Sequence, residues 1–351
     1  MEKRNIIVIG ASAGGFEAIK QVIAGLPRNL DAAVFIVWHM PPDTSGILPY
    51  VLNKLGTLPA TNALDHEQIK TGHIYVAPPD RHLLIEKNYI RTTKGPKENR
   101  FRPAVDPLFR SAAYTYGTRV IGVILSGALD DGTAGLWTIK ERGGITIVQD
   151  PLDAQVAAMP TNALKEVNID YVLPADQMGA LLTSLCAEYA EEYSYRNAGE
   201  DKKTAMEVRI ASQDQHDARA LFEMGELSPF TCPECEGVMA AIKDGNRVRY
   251  RCHTGHAFSA DSLLAALTEK TEDTLWKAVK EMQETAMLLN HVGDHFAESN
   301  RPHEAAIYFQ KAKETLQRSQ LIRTAVIENE QFSIDTVSMN EEKAGQSKQA
   351  S

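Results

Sequence analysis

The stretch N-I-I-V-I-G-A-S-A-G-G-F-E-A-I-K-Q-V-I-A-G-L-P, residues 5–27, decides the reading of the fold. Ile6-Ile7-Val8-Ile9 is a short β-branched run, the pattern of a buried strand. Phe16, Ala18, Ile19, Val22 and Ile23 follow at helical spacing. Between them Gly10, Gly14 and Gly15 allow a tight turn and the close approach of another group. Ser12 is therefore expected just past the carboxyl end of a strand, beside a helix N-terminus. In open α/β sheets that crevice is where ligands bind.

Three readings compete for this turn. A nucleotide-binding loop is one, but the spacing matches neither G-x-G-x-x-G nor G-x-x-x-x-G-K-[ST]. A helix cap is the second, since serine commonly fills that role. A nucleophile is the third, with the hydroxyl lifted from the turn toward backbone N–H donors.

The rest of the chain extends the α/β pattern. Apolar runs recur at 33–38, 73–77, 82–85, 119–125, 145–148 and 171–173, and segments with helical spacing lie at 108–116, 133–141, 161–166 and 177–188. Strands alternating with helices predict an α/β fold, doubly wound, with a mostly parallel sheet and helices on both faces. The hydrophilic run 87–102 reads as a solvated hairpin or loop beside that sheet. The division expected is an α/β domain over 1–190, a charged linker with room for helical pieces over 191–228, a small zinc-ribbon-like module over 229–260, a helical region over 261–330 and a disordered tail over 331–351.

Composition narrows the classes of function. The chain has 351 residues, 37 basic and 46 acidic, for a formal charge of −9. That balance argues against work carried out mainly on nucleic-acid phosphates. No run of about twenty apolar residues is present, so no membrane insertion is expected. The opening M-E-K-R-N leads into a strand without signal-peptide architecture, which makes the cytoplasm the expected location. Three of the four cysteines, Cys232, Cys235 and Cys252, crowd one window, which favours a metal over disulfides. With His256 they give C-x2-C followed by C-x3-H, a Cys3His spacing suited to a closed structural zinc site. His253 is the rival fourth ligand, but its adjacency to Cys252 makes joint coordination awkward.

A nucleophilic serine needs a base and an orienting carboxylate, and strand ends are where an α/β sheet offers them. His39 ends the run V-W-H-M-P, and Asp130 and Asp131 follow the strand that leads into S-G-A-L-D-D-G-T. Each has a blander reading: His39 as a packing residue, and Asp130 or Asp131 as a cap on the helix from Thr133. Three strand ends on one rim carrying an alcohol, an imidazole and an acid favour the nucleophile over the cap.

At these residues the chain resembles a known family. G-A-S-A-G-G at 10–15, W-H-M-P at 38–41, G-H-I-Y-V-A-P-P at 72–79, R-P-A-V-D-P-L-F at 102–109, L-S-G-A-L-D-D-G-T-A-G-L at 125–136, Q-D-P at 149–151 and M-P at 159–160 look like the catalytic domain of the CheB-type chemotaxis protein-glutamate methylesterases, over roughly residues 5 to 185. The resemblance implies Ser12 as nucleophile, His39 as base and Asp131 as orienting acid, the last because the family's D-G pair is here Asp131-Gly132. It implies hydrolysis of glutamate methyl esters on the helical region of chemoreceptor-type proteins, and deamidation of glutamine at such sites. Partners would be those receptors and other chemotaxis or two-component signalling proteins. Serine-based hydrolysis needs no cofactor. Backbone N–H groups near Ala13 and Ala128 are the candidate oxyanion donors; the family commonly has threonine and methionine at these two places. Typical members also carry an N-terminal receiver domain, whereas this sequence opens on the catalytic strand. The competing class is a binding module: a catalytically silent relative that docks signalling partners through the ribbon and the C-terminal helices.

Overall fold

A computed structural model describes residues 2–39, 46–190, 198–213, 224–244 and 247–328. Met40 and Pro41 of the W-H-M-P motif, the Gly245-Asn246 turn, part of the expected linker and the expected tail lie outside the described residues.

The large sheet has seven strands in the order β3-β4-β2-β1-β7-β8-β9. They are β1 (Ile6–Ala11), β2 (Ala33–Trp38), β3 (Ala60–Asn62), β4 (His73–Val76), β7 (Val120–Ile124), β8 (Ile145–Gln149) and β9 (Tyr171–Leu173). Every neighbouring pair is parallel. The remaining two strands before residue 190, β5 (His82–Glu86) and β6 (Tyr89–Thr93), form a separate antiparallel hairpin. The apolar run at 82–85 thus belongs outside the main sheet, and the polar β3 carries no apolar pattern from which it could be read.

Strand periodicity explains the two covered faces. Ile7 and Ile9 of β1 pack with Ile19, Val22 and Ile23 of α1 (Gly15–Ala24), Leu48 and Leu52 of α2 (Leu48–Leu55), and Met178 and Leu182 of α6 (Ala175–Ala187). Ile6 and Val8 point the other way, toward Leu108 and Phe109 of α3 (Val105–Tyr116), Leu136 and Ile139 of α4 (Thr133–Glu141), and Met159 and Ala163 of α5 (Ala158–Glu166). Each fully buried aliphatic side chain contributes roughly 1.5–3 kcal/mol. With both faces closed by apolar packing, polar chemistry is left to the strand ends. The strand order reverses at β1, whose flanks are β2 and β7, and the crevice beyond their carboxyl ends is the natural ligand position.

Beyond the sheet, α7 (Ala198–Ser212) precedes a four-stranded antiparallel ribbon, β10 (Glu226–Thr231), β11 (Val238–Asp244), β12 (Arg247–Cys252) and β13 (Ala257–Ser259), in sequential order. Helices α8 (Ala260–Glu298) and α9 (Pro302–Glu328) end the described chain. The chain separates into two compact units, Met1–Leu263 and the remainder from Leu264, so sheet, α7 and ribbon fall in one unit.

Two sequence expectations are made more specific within that first unit. Part of the run expected to be a linker is α7, and it is anchored: Thr93 Oγ1 donates to Ala211 O at 2.5 Å, and Glu207 is buried with Arg249 and Arg251 of the ribbon. The run 87–102 is exposed at its hairpin tip, residues 87–89, and at Lys94, whereas Ile90, Thr92, Thr93, Glu98 and Asn99 are buried. Charge in a sequence does not distinguish a solvated face from a paired interior network.

In the second unit, Val279 and Ala286 of α8 and Ala305, Ala312, Ser319 and Val326 of α9 are buried at seven-residue spacing, a narrow seam of mostly small side chains. Met287 and Leu288, whose spacing suggests core positions, are 65% and 63% exposed.

Candidate active site

Ser12 follows β1 directly, and its backbone is held from three sides. Its N–H donates to Ser126 O at 2.9 Å, and its carbonyl accepts from Gly15 N at 2.9 Å and from Trp38 Nε1 at 3.1 Å. Ser126, just after β7, closes the zip by donating its hydroxyl to Ala13 O at 2.8 Å. Helix α1 is entered through Gly14 in the left-handed region (φ 73), with no side-chain cap. Ser12 is thus not the cap of α1, and its hydroxyl is free for another partner.

That partner is His39. The histidine follows β2, its N–H donating to Ala11 O at 3.0 Å, so register in the sheet sets its position. Nδ1 lies 3.2 Å from Ser12 Oγ, and Nε2 lies 2.8 Å from Asp131 Oδ2. The His39 side chain is 3% exposed and that of Asp131 2%. A hydrogen bond from Nε2–H to the carboxylate leaves the Nδ1 lone pair facing the serine hydroxyl.

Asp131 is held as an anion. Oδ2 accepts from His39 Nε2 and from Val105 N at 2.6 Å; Oδ1 accepts from Asn99 Nδ2 at 2.9 Å and from Asp106 N at 3.3 Å. Burial pushes its pKa up, but the hydrogen bond and charge of His39 and the donors from Val105 and Asn99 outweigh this and hold it below the ordinary carboxylate value. Its neighbour Asp106 carries the opposite shift, pushed up to about 6 by burial and by the charge of Asp131. Helix α4 is capped by Gly132 (φ 92) rather than by either aspartate. The two acids separate: Asp130 accepts from Ser259 Oγ at 2.7 Å and lines a cavity of about 250 Å³ together with Thr133, Asn162, Arg247 and Asp261, whereas Asp131 faces the histidine.

The two expected oxyanion positions lie in the turns after β1 and β7. Ala13 follows Ser12 in the first, and Ala128 follows Gly127, where an added Cβ would lie 2.8 Å from Ser12 Cβ and 2.0 Å from Met159 Sδ. Only glycine leaves that approach open.

Sequence reasoning missed two residues at this centre. Asn99 bridges Asp106 and Asp131, and the Phe101 ring stacks on His39 with centroids 3.9 Å apart and planes 12° from parallel. Both lie in the hydrophilic run before Arg102, where nothing in spacing or residue type signals them.

The cysteine cluster is a second centre. Cys232, Cys235, Cys252 and His256 offer ligand atoms all within 4.8 Å of one another. Cys235 Sγ and Cys252 Sγ are 3.6 Å apart, and His256 Nδ1 is 3.7 Å from Cys232 Sγ and 3.6 Å from Cys252 Sγ. A tetrahedron with metal–sulfur bonds of about 2.3 Å has edges of about 3.8 Å, so the four atoms can hold a metal ion. Two turns present them: Cys232 N donates to Gly237 O at 2.8 Å, and Cys252 N to His256 O at 2.9 Å. His253 turns away to pack on Gly237.

Among known proteins, residues 7–182 match the family model described as CheB methylesterase. A protein of Leptospira interrogans named putative protein-glutamate methylesterase/protein-glutamine glutaminase is 42% identical over 180 residues, 51% of this chain and 93% of that protein. A protein-glutamate methylesterase/protein-glutamine glutaminase of Hydrogenovibrio crunogenus is 42% identical over 175 residues, 48% of this chain and 46% of that protein. The crystal structure of the Thermotoga maritima CheB methylesterase catalytic domain superposes with a TM-score of 0.51 at 37% identity, covering 52% of this chain and 98% of that one. The family match leaves α7, the ribbon and the terminal helices outside it.

Proposed function

The chain belongs to the CheB methylesterase family, and from that premise we propose that it hydrolyses glutamate methyl esters on chemoreceptor-type signalling proteins, with Ser12 as nucleophile, His39 as base and Asp131 as orienting acid. The observation that carries this reading is the pair of hydrogen-bond distances at His39, 3.2 Å to Ser12 Oγ and 2.8 Å to Asp131 Oδ2.

The steps follow from that geometry. Ser12 Oγ attacks the ester carbonyl as His39 Nδ1 takes its proton. Asp131 stabilises the imidazolium through the Nε2–H bond and keeps the ring in the tautomer that leaves Nδ1 open. The carbonyl oxygen, now anionic, is received by backbone N–H groups at Ala13 and Ala128; one such donor is worth about 3 kcal/mol at the transition state. His39 returns the proton to the leaving methoxide, and methanol departs. Water, deprotonated by His39, then attacks the acyl-enzyme and restores Ser12. With a glutamine amide the same steps release ammonia.

Cys232, Cys235, Cys252 and His256 are assigned to a structural zinc ion, because three cysteine sulfurs and an imidazole nitrogen within 4.8 Å of one another suit that metal. Elemental analysis of the full chain should find one zinc per chain in wild type and none in Cys252→Ser; a metal-free wild-type protein ends that assignment.

Methanol release from a methylated receptor signalling region tests the function. Wild type should release methanol and Ser12→Ala should fall to background. Silence from both proteins contradicts the esterase reading and favours a docking role.

A further inference from the structure

The loop 97–101 touches two of the three proposed catalytic side chains, and it is built onto the ribbon. Ala257 of β13 donates its N–H to Lys97 O at 3.2 Å and accepts from Asn99 N at 2.8 Å, so the loop pairs with β13 as a short parallel bridge. The loop also closes on itself, Glu98 N to Phe101 O at 3.2 Å and Phe101 N to Glu98 O at 2.9 Å. Its conformation is unusual: Asn99 (φ 49) and Arg100 (φ 75) are consecutive non-glycine residues in the left-handed region. Such a backbone persists where its surroundings over-determine it. The surroundings include buried charge, for the Glu98 carboxylate is clamped between Arg110 of α3 and Arg251 of β12, the latter at 2.9 Å.

The side chain of Asn99 shows what the loop is positioned to do. Its amide nitrogen has two protons and two acceptors, Asp131 Oδ1 at 2.9 Å and Asp106 Oδ2 at 3.0 Å. Its amide oxygen accepts from Ser259 N at 3.0 Å and from Ser262 Oγ at 3.0 Å. A flipped amide would turn its oxygen toward two carboxylates and its NH2 toward the Ser259 N–H donor. One orientation is therefore allowed, and the ribbon's last strand and the first turn of α8 set it. Asn99 is 5% exposed and Ser262 fully buried, so water does not compete for these bonds.

We infer that Asn99 is a positioning residue for Asp131, and that Ser259 and Ser262 hold it there, which makes the cysteine ribbon a working part of the esterase site rather than an appended module. Phe101, on the same loop, adds the second restraint by stacking on the ring of His39. The inference rests on the Ser12–His39–Asp131 reading and extends it to a segment outside the family match.

The test uses the full chain and two probes: turnover of 4-nitrophenyl acetate, and the rate at which a fluorophosphonate modifies Ser12. Asn99→Ala should lower kcat by about 10- to 100-fold with KM within about two-fold, the pattern of lost alignment rather than lost binding. Ser262→Ala, which keeps Asn99 and removes one of the two donors to its amide oxygen, should lower kcat about three- to ten-fold, and in both variants fluorophosphonate labelling should slow in parallel. If thermal unfolding shows that Asn99→Ala does not fold, Ser262→Ala alone decides. Folded variants that turn over and label at the wild-type rate overturn the inference. Wild type that labels at Ser12 and cleaves the acetate but releases no methanol from methylated receptor contradicts the substrate reading while leaving the positioning inference standing. Wild type that takes no label at all overturns both.

Discussion

Two regions meet at the proposed triad, and they hold it in different ways. On the sheet side, Ser12 and His39 follow adjacent parallel strands, and backbone hydrogen bonds at Ala11, Ser12 and Ser126 fix them. On the ribbon side, Asp131 and the His39 ring are steadied by side chains of one loop, which is itself held by residues some 150 positions further along the chain, Arg251, Ala257 and Ser259. The sheet side is made of the commonest interactions in an α/β protein. The ribbon side is made of buried charges and a strained turn, and it depends on a distant segment being folded. The difference teaches that position in this site comes from the fold, and alignment comes from a contact made late in the sequence.

The largest expected effect comes from breaking the carboxylate where the two regions join. Asp131→Asn keeps the side chain's shape, but its amide can donate to His39 Nε2 and so favours the tautomer with the proton on Nδ1, facing Ser12. A fall in kcat of about 10⁴ is expected, with the fold intact. A drop of less than about ten-fold would mean that this aspartate does not orient the base.

Next in size is the ribbon side alone. Glu98→Gln leaves Arg110 and Arg251 with an uncompensated buried charge and should cost about 3–5 kcal/mol of stability in chemical denaturation. The neighbouring pair Lys97–Glu234, 3.1 Å apart and partly exposed, supplies the contrast: Glu234→Ala should cost less than about 1 kcal/mol. Equal costs for the two substitutions would contradict the view that the ribbon is joined to the sheet domain through its buried charges.

The same contrast explains what the sequence discloses. Ser12 and His39 each follow an apolar strand run directly, and Asp131 lies in the turn between a third such run and the next helix, so their places beyond strand ends can be read from local pattern and shared topology. Helices α3 to α6 are legible because apolar residues repeat at helical spacing, with α4 read at the bounds it has, Thr133–Glu141. The ligand spacing of Cys232, Cys235, Cys252 and His256 is likewise local, and the four residues lie together. Asn99, Phe101, Glu98 and Glu207 are illegible for the opposite reason. They sit in charged runs without periodicity, and their partners are distant in the chain: His39 for Phe101, Asp131 and Ser259 for Asn99, Arg251 for Glu98, and Arg249 for Glu207. A buried Arg–Glu network and a solvated loop have the same composition, and only the tertiary pairing separates them.

The most direct measurement of the central claim is the site and rate of covalent modification of the full chain by a fluorophosphonate, read by peptide mass spectrometry. A single adduct on Ser12, formed rapidly in wild type and at least about 100-fold more slowly in His39→Gln, is the expected result. An adduct on another serine, or labelling of Ser12 at the same rate without His39, would contradict a proton path running from Ser12 through His39 to Asp131.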